Sequence, residues 1–274
     1  MKHLFLILFK IYIFFNIHVA LAVVALYLIF NSTISINYIY FLFFSTIFAY
    51  NLIRLFNFGS NRFFIKKFYV KYKVFYLLFL FISGLMSFYF YYLKLPFSTK
   101  IILIPFIIIT FLYNYNFTNL PLLKLRNNGI LKIITVSLVW SVLTILIPEW
   151  KNIEDEKMIV LKFVFVFVYV LMLTLSFDQR DLYIDEKELK TLPQLFKGKI
   201  IYFYLIISIV LSILLFYIFN SDQLIVSLAY LLISVYLCFQ SDEKKSFFYT
   251  AFWIEGFPIW WLIGFYFINN QIKI

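Results

Sequence analysis

The chain has 274 residues, of which 64% are hydrophobic and only 14% are charged, and its formal net charge is +11. Because so few charges cannot cover the surface of a soluble domain, the composition excludes a soluble globular protein and indicates an integral membrane protein. The positive charge does not form one patch but follows the membrane topology described below, so we expect membrane lipids and no nucleic acid as partners.

Apolar runs of roughly the 20 residues needed to cross a hydrocarbon core recur along the chain. They predict nine transmembrane helices, at about 11 to 30, 38 to 56, 74 to 93, 101 to 117, 133 to 148, 159 to 177, 200 to 219, 223 to 240 and 247 to 268. No small-residue cleavage site follows the first run, which we therefore expect to be a permanent helix. The predicted fold is an all-α, polytopic membrane bundle that forms a single domain over residues 1–274.

The basic residues predict the orientation of this bundle. If the amino terminus faces the cytoplasm, 18 of the 24 Lys and Arg residues fall on the inner side, as the positive-inside rule requires. We therefore expect an integral protein of a bacterial cytoplasmic membrane. The single cysteine, Cys238, lies inside an apolar run and is interpreted as a small buried hydrophobe.

The acidic residues are concentrated in one predicted inner loop. The first 148 residues contain no Asp or Glu, whereas five of the 13 carboxylates lie between Asp178 and Glu188. Asp178, Asp181 and Asp185 are spaced i, i+3 and i+7, so they share one stripe if the sixth helix continues past the membrane. Because Mg²⁺ binds carboxylates together with substrate phosphate oxygens, the spacing predicts a Mg²⁺ and diphosphate site. The alternative is a solvated helix extension.

The sequence around this cluster resembles a known family, the UbiA-type intramembrane prenyltransferases. Its second Asp-rich motif is similar to Phe177-Asp178-Gln179-Arg180-Asp181-Leu182-Tyr183-Ile184-Asp185 with the following Lys190-Thr191-Leu192-Pro193 and Gly198. The segment Pro121-Leu122-Leu123-Lys124-Leu125-Arg126 resembles the Tyr-Pro and Lys-Arg segment of the family, and Glu255-Gly256 stands where many relatives have Asp-Gly. The family has nine helices, with Asp-rich motifs in the cytoplasmic loops after helices 2 and 6.

The first Asp-rich motif of the family lacks its carboxylates in this chain. Where the resemblance places it, the sequence is Tyr50-Asn51-Leu52-Ile53-Arg54, in which Asn51 matches the Asn of the family. Two outcomes are open. Arg54 takes the place of the missing metal by pairing with diphosphate oxygens, or the bundle binds its ligand without turnover because the leaving group is not stabilised.

The resemblance implies an enzyme that transfers an isoprenoid chain from a prenyl diphosphate to a lipophilic acceptor, with Mg²⁺ as cofactor and the site on the cytoplasmic side. Arg54 and Asp181 are the predicted catalytic residues, and Asp178, Asp181 and Asp185 are the predicted metal ligands. The predicted diphosphate contacts are Asn51, Arg54, Lys124, Arg126, Arg180 and Lys190. The alternatives are a catalytically inactive isoprenoid-binding or assembly protein, and a transporter, which would need intramembrane ionisable residues and broken helices.

Overall fold

The computed structural model describes residues 2–56, 63–114, 128–150, 156–185 and 187–271, and these ranges contain helices and connecting turns but no strand. The α-helices in chain order are α1 (Lys2–Phe14), α2 (Ile17–Phe30), α3 (Ile36–Phe56), α4 (Phe63–Lys71), α5 (Lys73–Tyr89), α6 (Phe97–Asn114), α7 (Gly129–Ser141), α8 (Ile147–Glu149), α9 (Glu156–Arg180), α10 (Leu192–Phe196), α11 (Ile200–Ile218), α12 (Ser221–Phe239) and α13 (Phe257–Gln271). Three π-helical segments, Phe90–Lys94, Val142–Leu146 and Tyr249–Ile254, extend α5, join α7 to α8 and precede α13.

The lengths and surfaces of these helices suit a bilayer. Six helical segments are long and apolar enough to cross a membrane, and α1 with α2 makes a seventh if this pair, bent by 57°, is one span. Large apolar side chains such as Phe81, Ile206 and Phe216 are more than half exposed and would be unfavourable in water. The prediction of an all-α membrane bundle is therefore confirmed, and the count of nine crossings stays a prediction.

The core of the bundle forms around α9, which packs against α7, α11 and α12. Phe165 and Tyr169 on α9 lie in ring contact with Trp261 of α13, and Phe30 of α2 completes this aromatic group. All four side chains are buried. Because α9 is held on several sides, the position of its last turn, which carries Asp178, is fixed by the core.

Polar side chains of α2, of its C-cap residue and of α3 make hydrogen bonds to two of the π-helical segments. Asn31 donates a hydrogen bond to the carbonyl of Thr144 at 2.8 Å, and the hydroxyl of Tyr38 donates to the carbonyl of Leu143 at 2.6 Å. Nε2 of His18 lies 2.9 Å from the carbonyl of Phe252, which can only accept, so Nε2 carries the proton. The wider π-helical turns thus present backbone carbonyls to α2 and α3.

The first predicted span, 11 to 30, is not one continuous helix but breaks at Asn16. This residue has a left-handed backbone conformation, with φ of 59°, which ends α1 and starts α2 in a new direction. Asn51 donates from Nδ2 to the carbonyl of Phe15 at 2.9 Å and accepts from Asn16 at 3.0 Å. Nη1 of Arg54 donates to the carbonyl of Phe14 at 2.7 Å. Two side chains of α3 therefore cap the carbonyl end of α1, whose last carbonyls have no partner within their own helix.

Replacing Asn51 with Leu tests this capping arrangement. The variant leaves the Phe15 carbonyl and the Asn16 amide without this partner in a buried setting, so we expect the free energy of unfolding to fall by about 1–3 kcal/mol for each group left unsatisfied. Thermal unfolding of the purified protein in detergent measures the loss. Ser45→Ala, which removes only a local bond to Leu42 on the same helix, is the control, and equal melting temperatures for the two variants would contradict the capping role.

Candidate functional site

The acidic residues gather at the carboxyl end of α9, but not on a continued helix. α9 ends at Arg180, and residues 181–184 form a turn in which the backbone N–H of Asp185 donates to the carbonyl of Asp181 at 2.8 Å. The condition for a stripe of three aspartates, a sixth helix that continues through Asp185, is therefore not met. Asp178 still interacts electrostatically with both Asp181 and Asp185 across this turn.

Asp178 forms an ion pair with Lys132 of α7. The Lys132 ammonium lies 2.5 Å from Oδ1 of Asp178, whose side chain is only 1% exposed, and it also interacts electrostatically with Asp185. Oδ2 of Asp178 is buried and has no hydrogen-bond partner among the described residues. Asp178 depends on this ion pair, because without Lys132 its carboxylate would be buried without compensation.

The start of α7 positions Lys132. The side chain of Asn128 caps the helix by accepting from the backbone N–H groups of Ile130 and Leu131 at 3.0 and 3.1 Å. Gly129 lies so close to Thr191 that a Cβ at this position would stand 2.6 Å from the Thr191 Cα. The segment that carries the Thr-Leu-Pro resemblance is thus packed on the first turn of α7, and this contact sets the helix in the register that brings Lys132 to Asp178.

Arg180 and Asp181 form a second pair. Nε and Nη2 of Arg180 donate to the two carboxylate oxygens of Asp181, both at 2.8 Å, and Nη1 donates to the hydroxyl of Thr250. The guanidinium also lies over the rings of Phe177 and Phe247, with 5.3 Å from its central carbon to each ring centroid. The bidentate bonds, the third hydrogen bond and the two aromatic contacts hold this arginine in one orientation.

A third ionisable group lies just before the start of α13. Glu255, which precedes α13 and is partly buried, interacts electrostatically with both Arg54 and Arg180. Its carboxylate makes no hydrogen bond within the ranges that the structure describes. Glu255 therefore links the helix break capped by Arg54 to the Arg180–Asp181 pair through charge alone.

The remaining predicted site residues have different positions. Asn51 is fully buried, with its amide hydrogen-bonded to backbone and to Asn16. Arg54 contacts the end of α1, and Lys190 is exposed, with a left-handed φ of 48°. Lys124 and Arg126 lie outside the described residues. The structure thus brings Asp178, Asp181, Asp185 and Arg180 together, whereas Asn51 serves the helix break.

A large apolar cavity adjoins this charged end. It has a volume of about 830 Å³ and lies between α3, α5, α6 and α7, within the usual range of roughly 300–1,000 Å³ for small-molecule sites. Its polar lining includes Tyr50, which accepts a hydrogen bond of 3.0 Å from Nε1 of Trp140. Arg54 lies one helical turn after Tyr50 on α3, and Lys132 lies one turn before the lining residues on α7. The cavity therefore has an apolar body, and two of its walls lead to charged residues.

The cavity opens sideways toward the surface that would face lipid. Phe81 and Phe88 on α5 and Phe111 on α6 line it and are each more than half exposed. Helix α5 packs mainly on α3, and α6 contacts α3 and α8, so the two helices form the sides of the opening. A molecule dissolved in the bilayer can enter this cavity without passing through water.

The three predicted ligands of Mg²⁺ do not form a joint metal site in the observed arrangement. Both carboxylate oxygens of Asp181 bind Arg180, and Oδ1 of Asp178 binds Lys132. In the part of the chain that the structure describes, no group of three His, Cys, Asp or Glu side chains has a geometry that could hold a metal ion. The residues present therefore fit protein cations better than one shared metal ion, and Mg²⁺ stays a prediction.

Comparison with protein-family models, with curated proteins and with solved structures gave no significant match for this chain. The class that its fold and site define is an all-helical membrane bundle with an apolar cavity and a charged end. The resemblance to UbiA-type prenyltransferases rests on the motif residues of the sequence and stays a prediction.

Sequence reasoning missed the role of Lys132, which counted only as one of the inner basic residues. The sequence did contain a signal for this lysine. Lys132 is followed at helical spacing by Thr135, Val136, Val139 and Trp140, which all line the cavity. A lysine on the same face of a helix as a cavity wall is a candidate ligand contact, but only the structure shows that this face borders a cavity.

Replacing Arg180 with Lys tests the arginine pair. Lysine keeps the charge but cannot bind both oxygens of Asp181 and the Thr250 hydroxyl in one planar arrangement. We expect the variant to lose about 1.5–3 kcal/mol of unfolding free energy, the usual contribution of a hydrogen bond to a charged group, in thermal unfolding measured in detergent. Lys244→Arg, an exchange at an exposed position, is the control. If both exchanges leave the free energy of unfolding unchanged, the charge of Arg180 stabilises the fold and its hydrogen-bond geometry does not.

Proposed function

We propose that this protein binds a prenyl diphosphate, with the isoprenoid chain in the apolar cavity and the diphosphate at the Asp178 end, and transfers the chain to a lipophilic acceptor. The observation that carries the proposal is the cavity of about 830 Å³ together with two cations on its walls. Lys132 lies one helical turn before the lining residues Thr135 and Val136 on α7, and Arg54 lies one turn after the lining residue Tyr50 on α3. A prenyl diphosphate has the same division into a long apolar chain and a strongly charged head.

In this proposal the cavity walls, the aromatic rings and the cations have separate roles. The walls of the cavity exclude water from the reacting carbon, and the rings of Tyr113 and Trp140 supply aromatic faces for a developing allylic cation. Lys132, Arg180 and Arg54 provide positive charge where the diphosphate leaves, which is the electrostatic stabilisation this reaction needs. Asp181 keeps Arg180 in orientation, and Lys124, Arg126 and Lys190 are further candidate contacts with the diphosphate.

In this proposal the chain crosses a bacterial cytoplasmic membrane nine times, and its Asp178 end faces the cytoplasm. The distribution of the basic residues supports this orientation. Mg²⁺ at Asp178, Asp181 and Asp185 remains the cofactor that the resemblance implies, and when bound it would neutralise charge on the leaving diphosphate. The roles proposed for the residues of the chain do not depend on this ion.

A second candidate function is isoprenoid binding without turnover. It is favoured by the pairing of Asp178 with Lys132 and of Asp181 with Arg180, because carboxylates that are already neutralised are less available to a metal. Transport is less well supported. The carbonyls of Phe14 and Phe15 at the break between α1 and α2, which a transported ion would need, accept bonds from Arg54 and Asn51.

The decisive assay offers the purified protein a panel of prenyl diphosphates with quinone, chlorin and lipid acceptors and measures diphosphate release. Val136→Trp places a large ring in the cavity wall and is expected to lower release at least about tenfold, because the chain no longer fits. Leu131→Trp lies on the same helix but is 40% exposed and does not line the cavity, so it should leave release unchanged.

Asp181→Asn tests the charged end in the same assay. It weakens the hold on Arg180, and we expect release to fall while prenyl diphosphate binding persists. Binding without release in the unmodified protein would support the second candidate function. Neither binding nor release across the panel would refute the proposed function.

A further inference from the structure

Lys132 lies at the acidic residues for which the sequence predicts a metal ion. Its ammonium lies 2.5 Å from Oδ1 of Asp178 and interacts electrostatically with Asp185, so one positive charge already lies beside these carboxylates. The carboxylate repulsion that led the sequence to predict Mg²⁺ is thereby relieved within the protein itself. The need for a divalent ion at this place is correspondingly smaller.

The ammonium also has hydrogen-bonding capacity left for a ligand. A lysine carries three N–H donors, and the only hydrogen bond of Lys132 among the described residues goes to Asp178. Its side chain is 27% exposed, in contrast to the 1% of Asp178. Lys132 shares a helix face with the cavity residues Thr135 and Val136, so it lies one helical turn beyond the wall of the cavity on α7.

The surrounding structure holds this lysine in place rather than leaving it to move in solvent. Asn128 caps α7, Gly129 packs against Thr191, and Asp178 is buried at the end of a helix in the core. Gln194 accepts from the N–H of Thr191 at 3.0 Å and donates to the carbonyl of Asp185 at 3.3 Å, which ties the acidic loop to the same place. Such fixed donors bind an anion without the cost of ordering a free side chain.

From these contacts we infer that Lys132 is a diphosphate-binding residue positioned by Asp178, and that it takes the place of a metal ion, so that this protein binds prenyl diphosphates without a divalent cation. Asp178 is a positioning residue in this arrangement and does not contact the diphosphate. The inference rests on the proposed binding of a prenyl diphosphate, but not on the transfer reaction.

The test is a binding measurement on the full chain in detergent, by calorimetry with farnesyl diphosphate and inorganic diphosphate, in excess EDTA and in Mg²⁺. In EDTA we expect the unmodified protein to bind farnesyl diphosphate with a Kd within about threefold of its value in Mg²⁺. Lys132→Met should weaken binding in EDTA by about 10- to 100-fold, the usual effect of losing one charge-assisted hydrogen bond. Lys132→Arg, which keeps a cationic donor, should retain most of the affinity.

Lys132→Met leaves a buried carboxylate without its partner and can fail to fold, so the double variant Lys132→Met with Asp178→Asn removes both charges together. Lys244→Ala removes an exposed cation and serves as control, with thermal unfolding measured on every variant. A double variant that folds and binds as the unmodified protein does would overturn the inference, since the ion pair would then be structural only.

Two further outcomes separate this inference from the proposed function. Binding that disappears in EDTA and returns with Mg²⁺ overturns the inference and leaves the proposed function standing. No binding of farnesyl diphosphate in either condition overturns both. Inorganic diphosphate should bind more weakly, and its affinities for the variants should fall in the same order as those of farnesyl diphosphate. That result supports the inference, because it shows that Lys132 contacts the diphosphate head and not the isoprenoid chain.

Discussion

A charge inside an apolar bundle has to be neutralised nearby, and at the end of α9 this requirement is met by the protein itself. Asp178 is 1% exposed, and its carboxylate is compatible with that burial because the ammonium of Lys132 lies 2.5 Å away. Asp181, one residue beyond the helix, accepts hydrogen bonds from Nε and Nη2 of the Arg180 guanidinium. These two pairs connect α7, the end of α9 and the π-helical segment before α13, so the site and the packing of the bundle depend on the same contacts.

The broken first helix imposes a similar requirement, met by neutral and cationic donors. Ending α1 inside the bundle leaves backbone carbonyls without partners, and Asn51 and Arg54 of α3 donate to them. These are the two residues that stand where the resemblance places the first Asp-rich motif. Asn51, which matches the Asn of the family, donates from its amide to the Phe15 carbonyl, a bond that an ionised carboxylate at this position could not make.

The cavity gives these charges a functional context. A volume of about 830 Å³, open toward the lipid-facing surface between α5 and α6, suits a long apolar chain that arrives through the bilayer. Arg54 and Lys132 each lie one helical turn from residues that line this cavity, so the apolar volume and the positive charges are neighbours. In the proposed function these cations take over part of the role that a metal ion has at a site built on carboxylates alone.

The amino-acid sequence by itself determined that this is an all-helical membrane bundle, because long apolar runs can satisfy their backbone groups in lipid only as helices. It also located individual helices closely, for example 200 to 219 for α11, observed as Ile200–Ile218, and it singled out the acidic loop. It could not show that α9 ends at Arg180, that the chain breaks at Asn16, or that Lys132 rather than a solvent ion lies beside Asp178. Those features depend on which helix faces which neighbour, and contacts between residues far apart in the chain, such as Lys132 with Asp178 or Phe14 with Arg54, exist only once the helices have packed.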